Sequence, residues 1–316
     1  MVTLGSGAFS YNVEVNWETV PDDYGDGWRE VPAVYADDDD NVYLFTRGDH
    51  PIMVFDSSGN FVKSWGEGVF TRGHGISKGP NNTLYLTDDG DHTVRQCTLD
   101  GEVLMTIGVP GTPAPLFSGD PFNRCTHTAT DPKTGDIYVS DGYGNSRIHK
   151  YSSDGNLLFS WGEPGNLPGQ FSIAHNICTD TAGLVYLADR ENNRIQIFDD
   201  SGKHLDQWSN VHRPCGLYID NDAGFVYVGE LGSGQNVDSK VPNIGPRVSI
   251  WNMKGELQAQ IGNGYGLETG QFIAPHGICL DSHKNIYVGE VAFTNMTNAG
   301  EPVDSSIRAF QRLTKA

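Results

Sequence analysis

Six times along this chain an apolar tetrapeptide carries tyrosine at its second position: Val42-Tyr43-Leu44-Phe45, Leu84-Tyr85-Leu86-Thr87, Ile137-Tyr138-Val139-Ser140, Val185-Tyr186-Leu187-Ala188, Val226-Tyr227-Val228-Gly229 and Ile286-Tyr287-Val288-Gly289. A second stretch of alternating character follows, as in Arg147-Ile148-His149-Lys150-Tyr151 and Arg194-Ile195-Gln196-Ile197-Phe198. Asp-Gly or Ser-Gly turns come next, as at Asp154-Gly155 and Ser201-Gly202, and a third stretch often ends in Trp-Gly or Ile-Gly. Short antiparallel strands recurring every ~40 to 50 residues cannot bury their apolar faces alone, and stacking them as blades solves that problem. The expected fold is all-β, a six-bladed β-propeller forming a single domain over residues 1–316. The sixth unit, ending near Phe310, lacks an outer strand. The alternating run from Tyr11 to Trp17 is expected to supply it and close the ring. Two Gly- and Pro-rich insertions, roughly 108–124 and 232–246, are expected to cover one mouth of the propeller.

Composition narrows the partners. The formal net charge is −19, which disfavours nucleic acid and anionic membrane, since both need basic surface. No apolar run approaches the ~20 residues of a membrane span. The opening Met1-Val2-Thr3-Leu4-Gly5 has neither a basic nor an apolar leader region, so no signal peptide is expected. The five cysteines, Cys97, Cys125, Cys178, Cys215 and Cys279, fall at separated repeat positions. Free thiols in a reducing, cytoplasmic setting are expected.

His74, His175 and His276 stand 101 residues apart, each opening the same local pattern: Phe70-Thr-Arg-Gly-His74, Phe171-Ser-Ile-Ala-His175 and Phe272-Ile-Ala-Pro-His276. They fall in units two, four and six. The matching positions of units one, three and five carry Pro32, Thr126 and Cys215. Alternate blades of a six-fold ring point inward from three sides, so the pattern argues for three imidazoles on one metal ion with a position left open. That donor set suits Zn²⁺ best, with another divalent transition metal as the alternative. A bland packing preference for histidine explains the alternation poorly.

Arg47 and Arg190 each stand four residues after the blade tyrosine, and Tyr143 stands five after Tyr138. All three are expected near one end of the channel. Arginine there would suit a carboxylate, and a tyrosine hydroxyl beside a dication would suit proton transfer. The competing reading pairs each arginine with an acid that recurs at the strand ends: Asp88, Asp141, Asp189, Glu230 or Glu290.

In these motifs the chain resembles an NHL-repeat propeller, and within that group the peptidyl-α-hydroxyglycine α-amidating lyase domain. The likeness covers nearly the whole chain. It is sharpest at Phe45-Thr-Arg47-Gly-Asp-His50, Ile137-Tyr-Val-Ser-Asp-Gly-Tyr143, Asn145-Ser-Arg-Ile148 and Ala188-Asp-Arg-Glu-Asn192. The resemblance implies zinc on His74, His175 and His276, a substrate arginine at Arg47, a catalytic tyrosine at Tyr143 and a second active-site arginine at Arg190. It also implies a structural Ca²⁺ on the backbone carbonyls of Val34 and Ile76. The aspartate that completes that calcium site in the family is Gly277 here. A family methionine is Ala274, and a family disulfide cysteine is Gly144. His127, one residue past the histidine position of unit three, has no family counterpart.

The expected reaction is lyase cleavage of the N–C bond of a carbinolamide, HO–CH(R)–NH–CO–R′, in an α-hydroxyglycine- or ureidoglycolate-like small-molecule substrate. One alternative is a zinc-dependent hydratase or hydrolase acting on a small carbonyl compound. Another is a non-enzymatic interaction scaffold, against which the registered histidines and the acidic charge argue.

Overall fold

The computed structural model describes residues 2–24, 30–233, 241, 243–304 and 307–316. Most of the second insertion expected at 232–246 lies outside them. Two short strands open the chain, β1 (Val2–Leu4) and β2 (Tyr11–Glu14). The first blade comprises β3 (Ala33–Ala36), β4 (Val42–Phe45), β5 (Ile52–Phe55) and β6 (Phe61–Trp65). The second comprises β7 (Gly73–Gly79), β8 (Thr83–Asp88), β9 (Thr93–Thr98) and β10 (Val103–Ile107). The third comprises β11 (His127–Thr130), β12 (Ile137–Asp141), β13 (Arg147–Tyr151) and β14 (Leu157–Trp161). The fourth comprises β15 (Ala174–Thr179), β16 (Val185–Asp189), β17 (Arg194–Phe198) and β18 (His204–Trp208). The fifth comprises β19 (Pro214–Asp220), β20 (Phe225–Glu230), β21 (Arg247–Asn252) and β22 (Leu257–Ile261). The sixth comprises β23 (Pro275–Leu280), β24 (Ile286–Glu290) and β25 (Phe310–Lys315). A helix, α1 (Ala292–Ala299), follows β24.

Each blade is one antiparallel meander, six in all, and the fold is a six-bladed β-propeller. The sixth blade is completed as its sequence requires. Strand β2 pairs antiparallel with β25, Tyr11 opposite Lys315, and β1 adds a fifth strand outside it. The chain gathers into two compact units of three blades each, one of Met1–Glu67 with Cys215–Ala316 and one of Gly68–Pro214.

The second strand of each blade is buried almost throughout, which explains its continuous apolar tetrapeptide. The outer strands show more to solvent and alternate accordingly. Within the second unit the inner strands β7, β11 and β15 lie side by side. Tyr138, Ile148, Phe171 and Phe198 are fully buried between the third and fourth blades, each such side chain contributing ~1.5–3 kcal/mol. The outer hairpins seat on the preceding blade: a Cβ on Gly202, at φ +81°, would stand 2.8 Å from the Trp161 ring.

The blade tyrosines end in a repeated polar device. Tyr43, Tyr138, Tyr186 and Tyr287 donate their hydroxyls to Asp37, Asp131, Asp180 and Asp281 at 3.0 to 3.3 Å. These aspartates also accept backbone N–H groups of the hairpin between the first and second strands, as Asp131 does from Lys133. Blade two has Gly79 at that position, and the buried Tyr85 hydroxyl has no partner among the described residues. No helix among the described residues is long and apolar enough to cross a membrane.

Candidate metal centre and proton-transfer site

The loops before the three histidine-bearing inner strands are each fixed by a carboxylate from the end of the neighbouring second strand. Asp88 accepts the N–H groups of Thr71 and Arg72 at 2.6 and 2.9 Å, just ahead of His74. Asp189 accepts that of Ser172 at 2.8 Å, ahead of His175. Glu290 accepts those of Ile273 and Ala274 at 2.8 and 3.0 Å, ahead of His276. Burial raises the carboxyls of Asp189 and Glu290, and the N–H donors offset that penalty. Thus the recurring acids hold the histidine loops. Arg190 pairs with Glu191 at 2.8 Å, and Asp189 pairs with Arg194.

In the second unit, buried His74 and His175 stand edge to face, ring centres 4.9 Å apart. His74 Nδ1 donates to the Thr126 carbonyl at 2.7 Å. A carbonyl only accepts, so Nδ1 carries the proton and Nε2 is left with its lone pair. Tyr143 Oη lies 3.0 Å from His74 Nε2 and 3.4 Å from His175 Nε2. Arg190 Nη1 donates to the same oxygen at 3.3 Å. The unit therefore brings together four of the residues expected at the site. Thr126 also hydrogen-bonds the His175 carbonyl through its own hydroxyl, at 2.6 Å.

The first unit repeats the arrangement once. His276 is buried, and its Nδ1 donates to the Pro32 carbonyl at 2.7 Å. Gly75 and Gly277 follow His74 and His276 because the orienting carbonyls come so close. A Cβ would meet Thr126 O at 2.6 Å in one case and Pro32 O at 2.8 Å in the other. Arg47 donates through Nη1 to Glu30 at 2.8 Å, and both side chains are nearly buried. Val34 sits on β3 opposite Leu44, and Ile76 on β7 opposite Leu86. Gly277 leaves the expected calcium position without a carboxylate. The His127 ring stands near the Ile76 and Ile177 backbones, its Nδ1 buried without a partner, and burial pulls its pKa down to about 4.

Beside Tyr143 a cavity of about 370 Å³ opens in the second unit. Phe117, Pro164, Phe171 and Ile173 give it apolar walls, Asn166 and Asn192 add neutral polar groups, and no charged side chain among the described residues lines it. Phe117 belongs to the first insertion, tied down by its N–H to the Gly144 carbonyl at 2.8 Å.

The stretch 171–198 matches the NHL repeat family. Over 238 residues the chain is 34% identical to human (Homo sapiens) NHL repeat-containing protein 3, covering 70% of this chain and 67% of that one. The chain belongs to the NHL-repeat family. This NHL-repeat protein is also 29% identical over 259 residues to peptidyl-alpha-hydroxyglycine alpha-amidating lyase 1 of Drosophila melanogaster, covering 74% of its own length and 46% of the lyase. It thus spans under half of that relative. A solved streptogramin B lyase structure shares its fold, with a TM-score of 0.63 at 16% identity over 98% of this chain and 100% of that one.

Two features of the NHL-repeat protein escape sequence reading. The carbonyls of Thr126 and Pro32 orient histidines of neighbouring blades, and backbone groups carry no residue signature; the matching repeat positions were the available signal. Arg124 is the other. Its guanidinium carbon lies 4.5 Å from the centre of the Tyr143 ring, closer than that of Arg190 at 5.4 Å.

Proposed function

We propose that the protein is a metal-dependent lyase that splits the N–C bond of a small carbinolamide, with His74, His175 and His276 as the metal ligands. The observation that carries this reading is the meeting of Tyr143 Oη with two imidazole Nε2 atoms and the Arg190 guanidinium. His276 holds the matching repeat position in its own unit, with the same Nδ1-to-carbonyl bond as His74. The donor set fits: His74 and His276 are held through Nδ1 by backbone carbonyls, as metal ligands require. The amidating lyase among the relatives adds to the support.

A divalent ion there would supply Lewis acidity toward the substrate hydroxyl. The protein's own groups do the rest. Arg190 orients the Tyr143 hydroxyl. That hydroxyl relays the proton from the substrate hydroxyl to the departing amide nitrogen as the C–N bond breaks and the C–O bond becomes a carbonyl. Atoms balance: one carbinolamide gives one aldehyde or keto acid and one amide. The neutral cavity takes the acyl part, R′.

Elemental analysis of purified protein is expected to give about one transition-metal ion per chain, lost in His175→Ala. Tyr143→Phe is expected to keep metal and fold but lose ~100-fold or more in kcat on a panel of α-hydroxy-amides. Absence of metal would favour the scaffold reading. Unchanged kcat in Tyr143→Phe would favour a hydrolytic one.

A further inference from the structure

We propose that Arg124 binds an anionic group of the substrate, a carboxylate, beside the Tyr143 ring, and so sets which charge the site selects. The inference rests on the reading of Tyr143 as the reaction centre. Arg124 is half-exposed, its side chain 43% accessible, whereas its partner Asp89 is wholly buried. Its Nε and Nη2 both donate to Asp89 Oδ2, at 3.2 and 2.6 Å. Its backbone N–H donates to His92 Nδ1 at 3.0 Å. The side chain is therefore anchored before any ligand arrives, which lowers the ordering cost of binding. Nη1 has no protein partner among the described residues.

The carboxylates around Arg124 are already occupied. Asp89 is shared by Arg124 and Arg72, which donates to both its oxygens. Neighbouring Asp88 is occupied by four backbone N–H groups, those of Thr71, Arg72, Gly90 and Asp91. On the other side Arg190 and Arg213 share Glu191. In a chain of net charge −19, two arginines on the single carboxylate Glu191 and a half-exposed guanidinium over the Tyr143 ring form a local anion-attracting field. The uncharged cavity next to Tyr143 divides the substrate: its neutral acyl part goes to the cavity, its carboxylate to Arg124. A planar guanidinium suits that group.

The test is calorimetric titration of the metal-bearing protein with N-acetylglycine and with N-acetylglycinamide, neither of which has the hydroxyl to be cleaved. Wild type is expected to bind the acid at least ~10-fold more tightly than the amide. Arg124→Gln is expected to reduce that preference to within ~2-fold, and Arg124→Lys to keep only part of it. With the hydroxylated acid as substrate, Arg124→Gln should raise KM more than it lowers kcat. Equal binding of acid and amide by wild type overturns the proposal whatever the variants do. So does full discrimination by Arg124→Gln. If the variants behave as expected but the hydroxylated acid is not cleaved, the anion site stands and the lyase reading fails. If it is cleaved while Arg124→Gln discriminates like wild type, only the Arg124 assignment falls.

Discussion

At the scale of single residues, Glu18 offers a direct measurement of burial. Desolvation raises its carboxyl from 4.5 to about 7, with Arg308 pulling weakly the other way. The folded chain therefore holds a proton that the unfolded chain releases. This contribution to stability is fully present below about pH 4.5 and is lost as pH rises through 7. Glu18→Gln should match wild type near pH 4 and exceed it at pH 8 by up to about 3 kcal/mol. Urea unfolding at the two pH values checks this, and a gap that stays constant with pH would refute it. Residue by residue, the grouping of the candidate site was legible where residue types repeat. His74, His175 and His276 share a register, and Tyr143 and Arg190 stand at fixed distances from blade tyrosines. Arg124 was not legible, because its place depends on a left-handed backbone turn at φ +64° and on a carboxylate 35 residues away.

At the scale of the blade, the tyrosine–aspartate pairs allow a controlled comparison. Tyr186 donates to Asp180, whereas the equally buried Tyr85 hydroxyl has no partner among the described residues. Tyr186→Phe should cost ~1 kcal/mol, and Tyr85→Phe should be neutral or slightly stabilising, since it removes an unsatisfied buried group. Chemical denaturation of both variants checks the contrast; equal costs would mean that the hydroxyl bond contributes nothing. The blades themselves were legible from the buried second strand, whose apolar run cannot serve an exposed element. The seating of Gly202 on Trp161 was not, because a sequence marks the turn and leaves its contact unnamed.

At the scale of the whole molecule, all five cysteines are free thiols, four of them buried. Burial pushes the Cys97 thiol up to about 11 and those of Cys125 and Cys279 well above their usual range. Thiol titration without reductant should count five groups in denaturant and react far more slowly in the native protein. A denatured count of three would reveal a disulfide. Order of synthesis adds a last consequence, because Tyr11 and Lys315 share a sheet across 304 residues of chain. Strand β2 leaves the ribosome long before β25 exists. At ~5–20 residues per second it waits many seconds with an unsatisfied edge, during which any extended segment of a neighbouring nascent chain competes for it. Strand β25 therefore acts as a latch on β2, and a ribosome stalled before Phe310 would release a chain in which β2 has no β25 to pair with.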